Sequence, residues 1–280
     1  MIHDGINIIY EEFNSLAEYV GIIDKRKPNN VFEDQRLSSH DNDYDFSMTN
    51  SYEEATMLAL NGYKEGLDQM TSTGIRITHM ENKPKNMPSV NVVGYAPHVP
   101  NAIAGYPTSM ITTQQSEQKA KVITIVYCMS VMAATDANMV VVAGKKMLDV
   151  ITTLETQGYR VGLNIMDTFT KSSEWAIKSV QVKHWRQPSN PLKISYALIH
   201  PSFFRRHGFR WLETTPELTD SDFPHGYGQT LEHRYGSSME ERDSKLRKLG
   251  ILKQNQFYVE FKTAYRLSPN EIIKKMGIGG

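Results

Sequence analysis

The run Lys121-Val-Ile-Thr-Ile-Val-Tyr127 constrains the fold more than any other stretch of the chain. Its β-branched side chains favour extended backbone, and the lack of polar alternation suits a strand buried on both faces. From Asn138 to Leu154, the residues Val142, Met147, Val150, Ile151 and Leu154 recur at helical spacing, and Gly158 supplies a stop. Tyr159 to Met166 then reads as a second strand. Strand, helix and strand within about 45 residues is the length of a βαβ unit. Such units are nearly always right-handed. The expected class is α/β, a sheet with flanking helices and an irregular N-terminal region.

Further elements are expected around this centre. Phe13, Leu16 and Val20 form a stripe that predicts a helix over residues 1–20. Lys25 to Asp45, polar and rich in Asn and Asp, reads as an arm or long loop. Ser51-Tyr-Glu-Glu54 is a capping box opening a helix through Ala55, Leu58, Ala59 and Leu60 that ends at Gly62 or Gly66. Lys83 to Met110 holds Pro84, Pro88, Pro97, Pro100 and Pro107, which exclude a regular helix or central strand. It also carries Val90, Val92, Val93, Tyr95, Val99 and Ile103, so it reads as an ordered loop with one short strand, Tyr95, Val99 and Ile103 being buried. Ser179 to Lys183, Lys193 to Ile199 and Gln256 to Thr263 are strand candidates. Met239 to Leu249 and a stretch from Ser268, with Pro269 at its first position, read as helices. The division expected is 1–115, a helical and Pro-rich packed region, and 116–280, an α/β domain with a C-terminal extension.

Composition removes several classes of function. Lys plus Arg number 31, as do Asp plus Glu, so no global field draws the chain to nucleic acid, and such binding needs a local patch. The first 70 residues nevertheless carry about −9 and residues 240–280 about +4. No apolar stretch reaches the roughly 18–20 residues of a membrane span, Val122 to Val142 being broken by Ser130, Thr135, Asp136 and Asn138. The N-terminus lacks the pattern of a signal peptide. Cys128 is the single cysteine, which forbids an intramolecular disulfide. The expectation is a protein of the bacterial host cytoplasm or a virion, with no membrane.

Four stretches resemble a family of uncharacterised proteins encoded by bacteriophages. They are Ser51-Tyr-Glu-Glu-Ala with Gly62-Tyr-Lys-Glu-Gly66; Gly94-Tyr-Ala-Pro-His-Val-Pro100 with Ala104-Gly-Tyr-Pro107; Gly144 through Leu154-Glu-Thr-Gln-Gly-Tyr-Arg-Val161; and His200-Pro-Ser-Phe-Phe-Arg-Arg206. The third also looks like part of a von Willebrand A domain, which implies a von Willebrand A-like or Rossmann-like sheet. Metal-binding members of that family carry Asp-x-Ser-x-Ser after the strand, hard oxygen ligands for a divalent cation. Here the run is Cys128-Met-Ser-Val-Met132, in which Ser130 alone keeps a ligand type. The resemblance therefore implies a degenerate site: no magnesium or calcium, and no cofactor. Asp136 would rescue the charge only if its loop folded back.

Catalytic signals are weak. Cys128 follows a buried strand, where a thiol is inert. His225 and His233 flank Gly226-Tyr-Gly228 without the spacing of a metal or phosphate motif. The densest constellation runs from Lys183 to Trp211. Lys183, Trp185, Arg186, Arg205, Arg206, Arg210 and Trp211 are interleaved with His184, His200, Phe203, Phe204, His207 and Phe209. Cations that meet phosphates beside rings that stack on bases make a single-stranded nucleic-acid surface, at roughly 1–3 kcal/mol per stacked base. Alternatively the phenylalanines are core and the arginines pair with the acidic N-terminal region. Because Arg205 and Arg206 are adjacent, at most one is expected to be central to a binding surface, the other holding the structure.

The expected function is that of a non-enzymatic binding protein. The first reading is a nucleic-acid transaction accessory that holds single-stranded DNA, or recruits a polymerase or replication protein in transcription or replication. The second is a protein-binding scaffold, a virion component or an inhibitor of a host defence system, using the Pro-rich stretch and the acidic arm. A homo-oligomer is compatible with both, and a hydrolase ranks last.

Overall fold

The computed structural model describes residues 2–3, 6–29, 44–71, 85–116, 121–132, 134–171, 174–187, 190–218, 227–232 and 238–278. Its N-terminal elements are β1 (Ile2–His3), β2 (Ile6–Phe13), α1 (Leu16–Ile23), α2 (Tyr44–Ser47), α3 (Tyr52–Asn61) and α4 (Lys64–Thr71). Next come β3 (Lys85–Asn91), β4 (Ala96–Pro97), α5 (Val99–Ile103) and β5 (Met110–Ser116). Then follow β6 (Val122–Cys128), α6 (Ala137–Thr156), β7 (Arg160–Lys171), β8 (Glu174–Lys183) and α7 (Pro191–Ile199). A π-helical segment (Phe203–Gly208) runs into α8 (Phe209–Glu213), and α9 (Met239–Lys248), β9 (Gln256–Glu260), α10 (Phe261–Arg266) and α11 (Pro269–Lys275) complete the chain.

These elements divide into two compact units, 1–78 with 122–280, and 79–121. The larger is α/β. Its six-stranded sheet has the order β1-β2-β8-β7-β6-β9. β6 is parallel to β7 and to β9, β2 is parallel to β8, and β7 and β8 form an antiparallel pair. The expected strand-helix-strand unit is thus β6-α6-β7, continuing past Met166 as far as Lys171. Alternation along β6 sends Ile123, Ile125 and Tyr127 into the main core, and Val126 and Cys128 into a second cluster that includes Leu246 of α9.

Several elements differ from expectation. β2 begins where a helix is predicted, because parallel pairing with β8 from Asn7 to Phe13 extends it. The helix starts only at Leu16, where Ser15 accepts from the Glu18 amide. β2 also joins the N-terminal segment to the sheet, so residues 1–115 do not form a region apart from 116–280. Residues 193–199 are α7 and not a strand. Asn190 accepts from the Lys193 amide and Pro191 takes the first turn, and a helix buried on every side from Ile194 to Ile199 shows no period to distinguish it from a strand. Ser51 accepts from the Glu54 amide, but the Glu54 carboxylate accepts from Asn50 instead of closing the box. Gly62, at φ 96°, ends that helix. α9 and α11 open with complete capping boxes, Ser238 with Glu241 and Ser268 with Glu271. Most of the expected Lys25–Asp45 arm, His225 and His233 lie outside the described residues.

Candidate interaction surface

The seven residues of the basic and aromatic constellation separate into an inner and an outer group. Lys183 is buried, 2.8 Å from Glu155 Oε1, and donates to the Val161 carbonyl. Arg205 is buried against the Phe46 ring, 4.2 Å from its centroid, and donates to the carbonyls of Phe46 and Thr135. Arg206 is buried and donates to Thr49 O at 2.9 Å and Thr49 Oγ1 at 3.2 Å. These adjacent arginines, displayed by the π-helical segment, both anchor residues 46–49. Neither occupies a free surface. Trp211 is fully buried, its indole donating to Glu11 Oε2 at 2.7 Å. Arg210 is half-buried, 6.0 Å from the Tyr52 ring. Trp185 and Arg186 lie together on the turn after β8, Trp185 half-buried and Arg186 exposed. The guanidinium is 4.6 Å from the Trp185 centroid, and the His184 ring stacks on the same indole.

Beneath the inner group lies a polar centre that the sequence reading missed. Asp167 and Lys178 face each other across the β7–β8 pair, 2.6 Å apart and without solvent exposure. Lys178 Nζ stands 4.2 Å from the Tyr19 ring centroid and 4.8 Å from that of Phe203. His207 is held by Tyr196 at 2.9 Å and Thr56 at 3.3 Å. Burial pushes the Asp167 carboxyl up and the Lys178 ammonium down, against the attraction between them. Burial likewise lowers His200 to about 4 and His207 to about 3. This is the pattern of a structural network: its groups are closed off from solvent.

At the end of β6, Cys128 is buried and its thiol is pushed up to about 11 by burial, which opposes nucleophilic chemistry. Ser130 Oγ accepts from the Thr168 amide at 2.6 Å, and Asp136 caps α6 by accepting from the Asn138 amide at 2.7 Å. Among the described residues no three His, Cys, Asp or Glu side chains converge as a metal site. A cleft of about 520 Å³ lies beside the start of α6, lined by Tyr44, Phe46, Thr135, Asp136, Asn138 and Arg205. Its cation already donates to two carbonyls.

The smaller unit has the opposite character. From residue 86 to residue 116 the sequence contains no Asp, Glu, Lys or Arg, a signal that was legible in the letters themselves. β3 and β5 pair antiparallel with Val90 opposite Ile111, and β4 takes the other edge of β5, giving three strands where one was expected. The turn between β3 and β4 is closed by the Tyr95 amide donating to Ile111 O at 2.9 Å. A Cβ at Gly94 would lie 2.1 Å from that same carbonyl oxygen, so the close approach requires glycine. The His98 amide donates to Ser109 O at 2.7 Å, and the Tyr106 amide to Asn101 O at 3.0 Å. Pro88 and Pro97 lie on the two outer strands and Pro100 in the first turn of α5, positions where a missing N–H is tolerated.

Expected to be buried, Tyr95, Val99 and Ile103 are exposed, Tyr95 at 71% and Ile103 at 83%. Val92, Val93 and Tyr106 are exposed with them, and none of the unit's described side chains is buried. The apolar residues are there, but hydrogen bonds close the hairpin and turns locally, so the side chains need no core to order the backbone. A charge-free surface that displays aliphatic and tyrosine side chains is of the kind that marks an interaction site.

No helix among the described residues is long and apolar enough to cross a membrane. No curated protein and no solved structure gives a significant match to the chain. A family model does match, over residues 3–263, and so takes in both units: the chain belongs to the family described as a domain of unknown function (DUF7192).

Proposed function

We propose that this protein is a non-enzymatic, protein-binding scaffold whose recognition surface is the charge-free stretch at 86–116. The observation that carries the reading is the display of Val92, Val93, Tyr95, Val99, Ile103 and Tyr106 from 31 consecutive residues without a charged side chain. Burying such a surface strands no charge, and apolar area removed from water contributes roughly 25 cal/mol per Å². A virion component or an inhibitor of a host defence system works through contacts of this type, and both accord with the resemblance to bacteriophage-encoded proteins. A von Willebrand A-like reading of the larger unit is compatible too, since a site in which Ser130 alone keeps a ligand type leaves recognition to other surfaces.

The nucleic-acid accessory is the weaker reading. Phosphate binding depends on accessible cations. Of Lys183, Trp185, Arg186, Arg205, Arg206, Arg210 and Trp211, Arg186 alone is exposed. Site-specific photocrosslinkers at Tyr95 and Ile103, with one at exposed Lys248 as control, test the proposal in cells that express the protein. The expected result is a discrete protein adduct from the first two positions that persists at high salt and is lost with Val93→Asp. Adducts to nucleic acid, or equal yields from all three positions, would refute it.

A further inference from the structure

We infer that the occupant of this surface is a second copy of the same chain, the 85–116 unit of one protomer packing on that of its partner. The inference rests on the protein-binding reading above and names the partner.

Three observations carry it. The first is size. The unit as a whole spans 79–121, and none of its described side chains is buried. Structures of about 40 residues seldom hold a sufficient core and rely on disulfides, metals or oligomerisation. A disulfide is excluded, because the single cysteine is Cys128. A metal has no ligands within 86–116, which contains no Asp, Glu or Cys and one histidine, His98. Association is what remains on that menu.

The second is charge. Charged residues make up 22% of the whole chain, so an ordinary protein surface would bring charges that the stretch from 86 to 116 cannot pair. A two-fold contact sets the same patch against itself, residue i on j and j on i. A neutral apolar patch then meets a neutral apolar patch, without any charge to be complemented. The third is area. Val92, Val93, Tyr95, Val99, Ile103 and Tyr106 are each more than half exposed. Two tyrosines and four aliphatic side chains approach the roughly 800 Å² per partner of a standard interface.

Sedimentation velocity on the full-length protein over a wide concentration range tests the pairing. The expected outcome is a reversible dimer whose dissociation constant barely changes with salt. Val93→Asp with Ile103→Asp should weaken it at least tenfold, and so should Ile103→Lys alone, a change at an exposed position that leaves the circular dichroism and melting of the larger unit as they were. A protein that stays monomeric throughout, a dimer indifferent to these substitutions, or one that dissociates steeply with salt overturns the inference. The crosslinking above separates the two levels. A monomer whose Tyr95 and Ile103 probes capture a different protein defeats self-pairing and leaves the scaffold reading in place, whereas a monomer without specific protein adducts defeats both.

Discussion

The 183–211 stretch and the 85–116 unit reverse the roles their residue types suggest. The first is full of cations and rings yet folds most of them inward, with Lys183, Arg205, Arg206 and Trp211 buried and hydrogen-bonded. The second is full of valine, isoleucine and tyrosine yet turns them to solvent. What separates them is where the polar partners are. In the larger unit, carbonyls at Phe46, Thr49, Thr135 and Val161 meet Lys183, Arg205 and Arg206, so these charges are kept inside at a tolerable cost. In the smaller unit the backbone bonds itself locally, and nothing compels the apolar side chains to pack. Side-chain type alone therefore does not tell a binding surface from a core.

The largest effect that can break this comparison concerns the buried pair. Lys178→Met leaves Asp167 without its partner in an apolar setting, and urea unfolding should register a loss of about 3–5 kcal/mol. Asp167→Leu combined with Lys178→Met should recover most of it. A single mutant as stable as the parent protein would mean that the polar centre is not structural.

Next in size is the response to acid. His200 and His207 fall to about 4 and about 3 in the folded protein, from an ordinary 6.5. Below pH 6.5 the unfolded chain therefore takes up protons that the folded one refuses. Their contribution is complete above that pH and is lost as the pH falls toward 4, at a cost of about 3 kcal/mol for each histidine. Asp167, raised by burial, works in the opposite direction. Unfolding measured from pH 7 to pH 4 should show the decline, and His200→Gln should flatten it; an unchanged slope in that variant would assign the acid sensitivity elsewhere.

Gly94→Ala sharpens the comparison from the other side. Its Cβ meets the Ile111 carbonyl oxygen, so the turn before β4 must open. Self-association should weaken at least tenfold, about 1.4 kcal/mol, while unfolding of the larger unit is unmoved. Loss of both together would show that the unit supports the core.

The smallest effect is expected at the outer pair. Trp185→Ala with Arg186→Ala should cost less than about 1 kcal/mol in unfolding, because surface changes are usually small. If that double mutant binds single-stranded DNA less well than the parent protein at low salt, the outer pair serves nucleic acid after all. The proposed assignment would then need revision.

Much of the larger unit was open to a reading of the chain. The β-branched run at 121–127 is β6, the helical spacing after Asn138 is α6, and Ser268 with Pro269 begins α11. Where the reading failed, the reason was context. Residues 6–13 and 193–199 are each a short run, and period alone assigns no state to so few residues. Pairing with β8 makes the first a strand, and burial on all sides against neighbouring helices allows the second to be a helix. The site was less legible. The absence of charge from 86 to 116 was visible, but whether those apolar residues pack or project was not.

By itself, then, the sequence determined the α/β class, the central βαβ unit, the helix caps, the lone cysteine and the neutral stretch. Each of these depends on neighbours a few residues apart, on branching at Cβ, a hydroxyl three residues before an amide, or composition. Only the tertiary structure decided that Asp167 meets Lys178, that Arg205 and Arg206 hold residues 46–49, and that Tyr95 and Ile103 face solvent. Those outcomes join positions as much as 159 residues apart, as between Arg205 and Phe46. Whether a charge is buried or a ring exposed follows from which polar groups the fold brings within about 3 Å of it, and no local pattern encodes that.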